Sequence, residues 1–248
     1  MAPADSVYWY CMGGLRLPRL YAIADVDVLA KRGIGLREFA EGLRAAGVSL
    51  VQLRDKAGSP QEVLGAAVEL RAVLASASHP SFARVGHPDC WLIMNDRVDL
   101  ALLAGFDGVH VGQGDLAVGD VPRVLWAKDE HGGHGGYTED SRRKIVGVST
   151  HTEEQVKEAE AAGADYVAIG PVFATGTKPD AEAVVGLDGV RRARALTTKP
   201  LVAIGGITRE NARSVVDAGA DSVAVISGLF APGETVEKVA RDFLEILR

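Results

Sequence analysis

Aromatic residues make up only 6% of the 248-residue chain. So sparse a set argues against a platform on which single-stranded nucleic acid stacks base after base. Positive charge is also short: 27 Lys and Arg against 33 Asp and Glu leave a net charge of −6. A global basic footprint for DNA or RNA is absent, so any anionic ligand must be held by local cations. Two cysteines, Cys11 and Cys90, cannot build a disulfide framework and show no metal-type spacing. A reducing compartment is the simpler expectation. No apolar run approaches the ~18 residues of a membrane span. Met1–Arg19 lacks a basic stretch followed by an apolar one, so a secretory signal is not expected. These absences lead to the expectation of a cytoplasmic protein with no nucleic-acid or membrane partner. Also missing is a Gly-rich dinucleotide fingerprint after the first apolar run, where Asp25-Val26-Asp27-Val28 stands. No nucleophile elbow with its G-x-S-x-G pattern, no paired glutamates and no Ser/His/Asp arrangement is visible.

What the chain does have is rhythm. Hydrophobic residues are 47% and glycines number 29, enough for a sizeable core without staples. Short apolar, β-branched runs recur at Leu20–Asp25, Leu50–Asp55, Trp91–Asp96, Gly108–Gln113, Lys144–Thr150, Tyr166–Val172, Leu201–Ile207 and Ser222–Leu229. Such runs suit buried parallel strands. Between them lie segments with helical spacing, clearest at Gln155–Ala162 and Glu210–Ala218. An Ala-Gly pair leads into a strand at Ala46-Gly47, Ala104-Gly105, Ala162-Gly163 and Ala218-Gly219. Each glycine fits the left-handed position that ends a helix. The pairs recur about every 57 residues, the mark of a repeated architecture. Two βα units per period and four periods give a single closed (β/α)8 TIM barrel over residues 20–248, with 1–19 as a poorly ordered extension. A doubly wound open sheet is the alternative. Residues 76–89 and 127–143, the latter with His131 and His134, read as surface insertions on the face away from the site.

In such a barrel, function sits at the C-terminal ends of the strands. The second run reads Gln52-Leu53-Arg54-Asp55-Lys56. Alternation puts Gln52, Arg54 and Lys56 on one face and Val51 and Leu53 on the other. The apolar face must meet helices, so two cations and an amide converge on the mouth, as a phosphate-rich ligand requires. A buried ion pair with Asp55 or Asp96 is the competing reading. The third and fourth runs end near Asp96 and Asp115. Two carboxylates beside cations suit Mg²⁺, which takes one or two carboxylates plus waters and phosphates; helix capping is the competing role. Ser149 can hydrogen-bond a polar heterocycle, Thr152 is placed to cap a helix, and His151 suits either proton transfer or a local hydrogen bond. Thr175-Gly176-Thr177-Lys178 forms a long loop able to cover a phosphate. Gly205-Gly206 and Ile226-Ser227 end the seventh and eighth runs, the usual barrel phosphate site. Two phosphate sites in one mouth suggest two phosphorylated substrates joined head to head.

Taken in order, Gln52-Leu53-Arg54-Asp55-Lys56, Asn95-Asp96-Arg97, His110-Val111-Gly112-Gln113-Gly114-Asp115, Gly147-Val148-Ser149-Thr150-His151-Thr152, Thr175-Gly176-Thr177-Lys178, Ile204-Gly205-Gly206-Ile207 and Ile226-Ser227 resemble the motifs of the thiamine-phosphate synthase family. The resemblance covers the chain from about Leu20 onward and is far more specific than a lone glycine pattern. It implies a Mg²⁺-assisted transferase that joins a hydroxymethylpyrimidine diphosphate to a thiazole phosphate (or its carboxylated form), giving thiamine phosphate and pyrophosphate. By that resemblance Gln52, Leu53, Arg54, Asp55, Lys56 and Asn95 bind the pyrimidine diphosphate, and Asp96 and Asp115 hold Mg²⁺. Ser149 and Lys178 contact the pyrimidine substrate. Thr175, Gly176, Thr177, Gly206, Ile226 and Ser227 hold the thiazole phosphate. Arg54, Lys56 and Lys178 carry the catalytic charge. Gly114 stands where the family commonly has an acidic residue, and Gly176 where it more often has a polar one. The expected partners are these small molecules, with a homo-oligomer compatible.

Three other readings compete. Tautomerase-like relatives share the barrel but tend to lose the diphosphate machinery and place a His where Pro171 stands. A non-catalytic barrel could bind thiamine precursors and regulate a partner. A sugar-phosphate isomerase would want a Glu or His base at a strand end, and only His151 offers one.

Overall fold

A computed structural model describes residues 15–74, 90–121, 144–176 and 183–248. Strand β1 (Leu20–Asp25) leads into helices α1 (Val26–Arg32) and α2 (Leu36–Ala46), β2 (Leu50–Arg54) into α3 (Pro60–Leu74), and β3 (Trp91–Asn95) into α4 (Val98–Leu103). After β4 (Gly108–Val111) come β5 (Ile145–Thr150) with α5 (Glu153–Ala161), β6 (Tyr166–Ile169) with α6 (Gly186–Leu196), and β7 (Leu201–Ile204) with α7 (Ala212–Asp217). Strand β8 (Ser222–Val225) is followed by a 3-10 turn (Ser227–Leu229) and α8 (Val236–Ile246). The strands pair in parallel in chain order and β8 closes on β1. The expected (β/α)8 barrel is therefore the observed one. Most strands stop short of the apolar runs that mark them, because the last residues of each run leave the ladder and turn into the mouth. Among the described residues no helix is long and apolar enough to cross a membrane. The two expected insertions, with His131 and His134, lie outside the described residues.

Alternation along each strand builds two apolar layers. Val51 and Leu53, Leu92 and Met94, Val146 and Val148 face outward, where α2 delivers Phe39, Ala40 and Leu43 and α8 delivers Val239, Ala240 and Phe243. The opposite face fills the barrel with Tyr21, Ile23, Leu50, Trp91, Ile93, Ile145, Tyr166 and Val202. Leu17, assigned to the N-terminal extension, is buried in this inner layer, and Arg19 O accepts from Val223 N at 2.8 Å. The described end of that extension thus packs on the barrel. The repeated glycines behave as the spacing requires. Gly47, Gly105, Gly163 and Gly219 take φ of 85°, 65°, 81° and 113°, left-handed values that suit glycine at helix ends.

One ion-pair network ties α8 to the β7–α7 loop. Arg209 donates to Glu234 at 2.6 and 2.9 Å and to Asp242 at 2.6 Å, and Lys238 donates to Asp242 at 2.6 Å. Hydrogen bonding from Arg209 holds the Glu234 carboxyl below its usual range, and Lys238 and then Arg209 do the same for Asp242. A carboxylate whose folded pKa is depressed adds stability above its unfolded pKa and loses it as pH falls through the folded one. Arg209→Ala is therefore expected to lower Tm at pH 7, and the gap from the parent to close in acid. A Tm difference that persists undiminished below the carboxylate range would rule out this electrostatic origin.

Candidate active site

The C-terminal ends of the strands collect the polar residues. On β2, Gln52 and Arg54 point inward beside Ile23 and Asp25 of β1, as the pairing Ile23↔Gln52 and Asp25↔Arg54 dictates. Arg54 forms an ion pair with the buried Asp25. The same aspartate caps α1, its Oδ1 accepting from Val28 N at 3.0 Å. Lys56, past the end of β2, donates to Asp96 Oδ2 at 2.6 Å. Of the two ion pairs named as competitors for these cations, the structure contains the one with Asp96. Arg54 instead uses Asp25, which the sequence reading passed over. Its signal was available: Asp25 shares parity with Tyr21 and Ile23 at the end of an inner-facing strand.

Leu53 and Asp55 sit differently from their neighbours. Leu53 is fully buried in the helix-facing layer, so its side chain does not reach the mouth. The parity argument already required this; only the motif-level assignment placed Leu53 with the ligand. Asp55 Oδ1 accepts from Ala57 N at 3.2 Å and Gly58 N at 2.7 Å, which shapes its own loop.

Asp96 is the one described non-glycine residue with positive φ, at 60°. Few side chains accept that conformation, Asp and Asn more readily than most. Its N–H donates to His110 O at 2.8 Å. Capping is not its role: α4 takes Arg97 as N-cap, with no side-chain hydrogen bond. Asp115, on the loop after β4, accepts from Gly112 N at 2.8 Å. Burial pushes the Asp96 carboxyl up, hydrogen bonding to Lys56 pulls it down, and Asp115 within hydrogen-bonding reach pushes it up again. The net shift is upward. Two carboxylates that close are mutually repulsive when both are ionised, so the pair favours a cation. Lys56 supplies one. A hard divalent cation bound through one or two carboxylates fits the same donor set. Among the described residues no group of three or more His, Cys, Asp or Glu gathers at one point, so water and ligand oxygens would have to complete such a sphere.

Asn95 closes β3 facing inward, paired with His110 across the ladder. Behind the mouth runs a buried line of hydrogen bonds. Gln52 Nε2 donates to Tyr21 Oη at 2.8 Å. Tyr21 Oη lies 3.0 Å from Tyr166 Oη, which lies 3.0 Å from His110 Nδ1. His110 Nε2 lies 2.8 Å from Ser149 Oγ. The rings pack closely, His110 stacked on Tyr166 at 5.5 Å and Tyr21 edge-on to it at 6.1 Å. Burial pushes both phenols well above their usual range, so neither ionises in the working pH range. Tyr21 and Tyr166 were not singled out from the sequence, although both occupy inner-facing positions.

Across the mouth, Gly205 and Gly206 take φ of 103° and 63°. A Cβ on Gly206 would meet Ala174 O at 2.6 Å, and one on Gly228 would meet Ile207 O at 2.4 Å. The loops after β6, β7 and β8 therefore meet backbone to backbone, with Ile226 half-buried and Ser227 exposed at the rim. Thr175 is half-buried and Gly176 exposed on the loop after β6. Thr177 and Lys178 lie outside the described residues. His151 takes the local role, its Nδ1 2.6 Å from Gly170 O. Thr152 caps α5 in a capping box with Gln155.

Comparison with known proteins shows the family and the fold. The family model described as thiamine monophosphate synthase matches residues 20–129 and 138–229. A thiamine-phosphate synthase from Koribacter versatilis is 47% identical over 94% of this chain and 98% of its own length. One from Chloroflexus aurantiacus is 39% identical over 86% of this chain and 85% of its own length. The solved structure of a thiamine phosphate pyrophosphorylase from Pyrococcus furiosus superposes with a TM-score of 0.71 at 30% identity, covering 92% of this chain and 95% of that one.

Proposed function

The chain belongs to the thiamine monophosphate synthase family, and from that premise we propose how its residues carry the transferase reaction. The observation that bears most weight is the meeting of Lys56, Asp96 and Asp115 at one side of the mouth, with Arg54 held by Asp25 at the inward-facing end of β2. On this reading the pyrimidine diphosphate lies with its diphosphate over β2 to β4. The C–O bond between its methylene carbon and the diphosphate breaks, and the bonding pair leaves with pyrophosphate. The thiazole nitrogen donates its lone pair to the methylene carbon, and the new C–N bond makes the thiazolium of thiamine phosphate. No proton transfer is needed, in keeping with the lack of a Ser/His/Asp base.

Arg54, Lys56 and Lys178 stabilise charge gathering on the leaving diphosphate. Asp96 and Asp115 would hold Mg²⁺, whose chemistry when bound is to neutralise that same charge. Lys56 exchanges Asp96 for a diphosphate oxygen as the substrate arrives. Asp25 holds the Arg54 guanidinium in place before then. Gln52, Asn95 and Ser149 address the pyrimidine. The loops bearing Thr175, Gly176, Thr177, Gly206, Ile226 and Ser227 take the thiazole phosphate, since backbone approach at glycine suits an anion. Leu53 contributes only through its backbone, and Asp55 through the turn it closes. Holding both substrates in one mouth supplies the proximity that a bimolecular reaction in water lacks.

The direct test mixes the full chain with pyrimidine diphosphate, thiazole phosphate and Mg²⁺, and reads thiamine phosphate as fluorescent thiochrome. Signal that EDTA abolishes is the expected result. A folded protein that binds thiazole phosphate but forms no product would overturn the synthase reading and favour a tautomerase or a binding barrel.

A further inference from the structure

We infer that Tyr21, Tyr166 and His110 form a one-way relay of hydrogen bonds that fixes what Gln52 and Ser149 present to the ligand. The inference rests on the pyrimidine-diphosphate reading above and names how that substrate is discriminated. An amide nitrogen can only donate, so Tyr21 Oη accepts from Gln52 Nε2. The Tyr21 hydroxyl is buried, and its remaining hydrogen-bonding neighbour among the described residues is Tyr166 Oη at 3.0 Å. Its single proton therefore goes to Tyr166. By the same reasoning the Tyr166 proton goes to His110 Nδ1, at 3.0 Å. An Nδ1 that accepts leaves His110 neutral with its proton on Nε2. That proton is donated to Ser149 Oγ at 2.8 Å. Ser149 has then spent an acceptor site and keeps its own proton to give outward.

The other end of the relay is equally constrained. Gln52 is buried except for a trace of surface, and no buried side-chain nitrogen or oxygen among the described residues lacks a partner. Gln52 Oε1 thus reaches the mouth as an acceptor. The mouth offers an acceptor from β2 and a donor from β5. An exocyclic amine and a ring nitrogen on one heterocycle satisfy both; a pyrimidinone, with these groups exchanged, meets donor with donor and acceptor with acceptor. A buried unmade hydrogen bond is what makes such a site selective. Tyr21, Tyr166 and His110 are positioning residues here, because each acts through Gln52 or Ser149.

The relay is tested first on the substrate-free full chain. Histidine-selective nitrogen-15 NMR, assigned among the six histidines by the His110→Gln spectrum, is expected to show His110 as the neutral Nε2–H tautomer. An Nδ1–H tautomer or an imidazolium at pH 7.5 would overturn the inference. Kinetics supply a second arm. Tyr166→Phe removes the proton that holds Nδ1 as an acceptor. It is expected to raise KM for pyrimidine diphosphate about tenfold and to leave KM for thiazole phosphate and the Mg²⁺ requirement unchanged. His110→Gln keeps a donor near the position of Nε2 and should stay within about threefold of the parent, whereas His110→Asn, whose amide matches Nδ1, should not. Equal changes in both KM values, or no difference between the Gln and Asn variants, would overturn it. If the wild-type chain makes no thiamine phosphate yet shows the Nε2–H tautomer, the synthase reading fails while the relay stands. If it makes product with the wrong tautomer, the relay alone fails.

Discussion

Replacing Asp96 by Asn is expected to lower kcat for thiamine phosphate formation by about a hundredfold or more while leaving Tm unchanged or raised. Asparagine is the informative substitution. Asp96 sits at φ 60°, and Asn tolerates the left-handed region nearly as well as Asp, whereas Ala there costs on the order of 1–2 kcal/mol. The substitution thus removes charge and keeps the backbone. The stability half follows from the raised carboxyl, caused first by burial and then by Asp115, against the pull of Lys56. A group whose folded pKa lies above its unfolded value loses its stabilising contribution as pH rises through the folded pKa. Above that folded pKa the wild type has lost it, and a neutral amide has not. Losing the Lys56 pair offsets little, because Lys56 is half-exposed. Any Tm advantage of the variant should shrink as pH falls below the carboxylate range. Asp115→Asn, whose amide oxygen can still accept from Gly112 N, should lose activity similarly. Activity within about threefold of wild type at saturating Mg²⁺ would remove these two residues from the metal role. Lost activity with a collapsed Tm would make Asp96 structural instead.

Gly147→Ala should carry a large stability cost in the barrel interior. A Cβ at Gly147 would lie 2.0 Å from Tyr166 Cζ and 2.3 Å from its Cε1. The Tyr166 ring is fully buried, stacked on His110 and edge-on to Tyr21, so it has no room to withdraw. Overpacking of this kind costs about 3 kcal/mol or more, equivalent to a Tm lower by roughly 6–12 °C in a domain of this size. The variant should also lose pyrimidine selectivity, since any escape of the ring breaks its contacts to Tyr21 and His110. Adding Tyr166→Leu should recover part of the Tm but none of the selectivity. Calorimetry of the two variants beside wild type checks this; a Tm shift under about 2 °C for Gly147→Ala would show that the ring position is not held as described.

How much of this could be read from the amino-acid order differs by feature. Parity along Gln52-Leu53-Arg54 placed Gln52 and Arg54 inside the barrel and Leu53 outside. The register Asp25↔Arg54 then made Asp25 the partner of Arg54; that needs two strands to be adjacent, which β1 alone does not declare. Thr152 as a cap was legible because capping is settled within four residues. His151 was ambiguous because its Gly170 partner lies 19 residues away, just past the end of the next strand.

The sequence by itself determined the period, the strand and helix order, the left-handed glycines and the cationic β2 motif. All of these depend on neighbours in the chain or on side-chain alternation, which are local properties. Only the tertiary structure decided which carboxylate each cation meets, that Asp96 takes a left-handed backbone beside Asp115, and that Tyr21, Tyr166 and His110 join Gln52 to Ser149. Those residues come from five different strands. Their hydrogen bonds form only because barrel closure brings inner-facing side chains together in a space from which water is excluded.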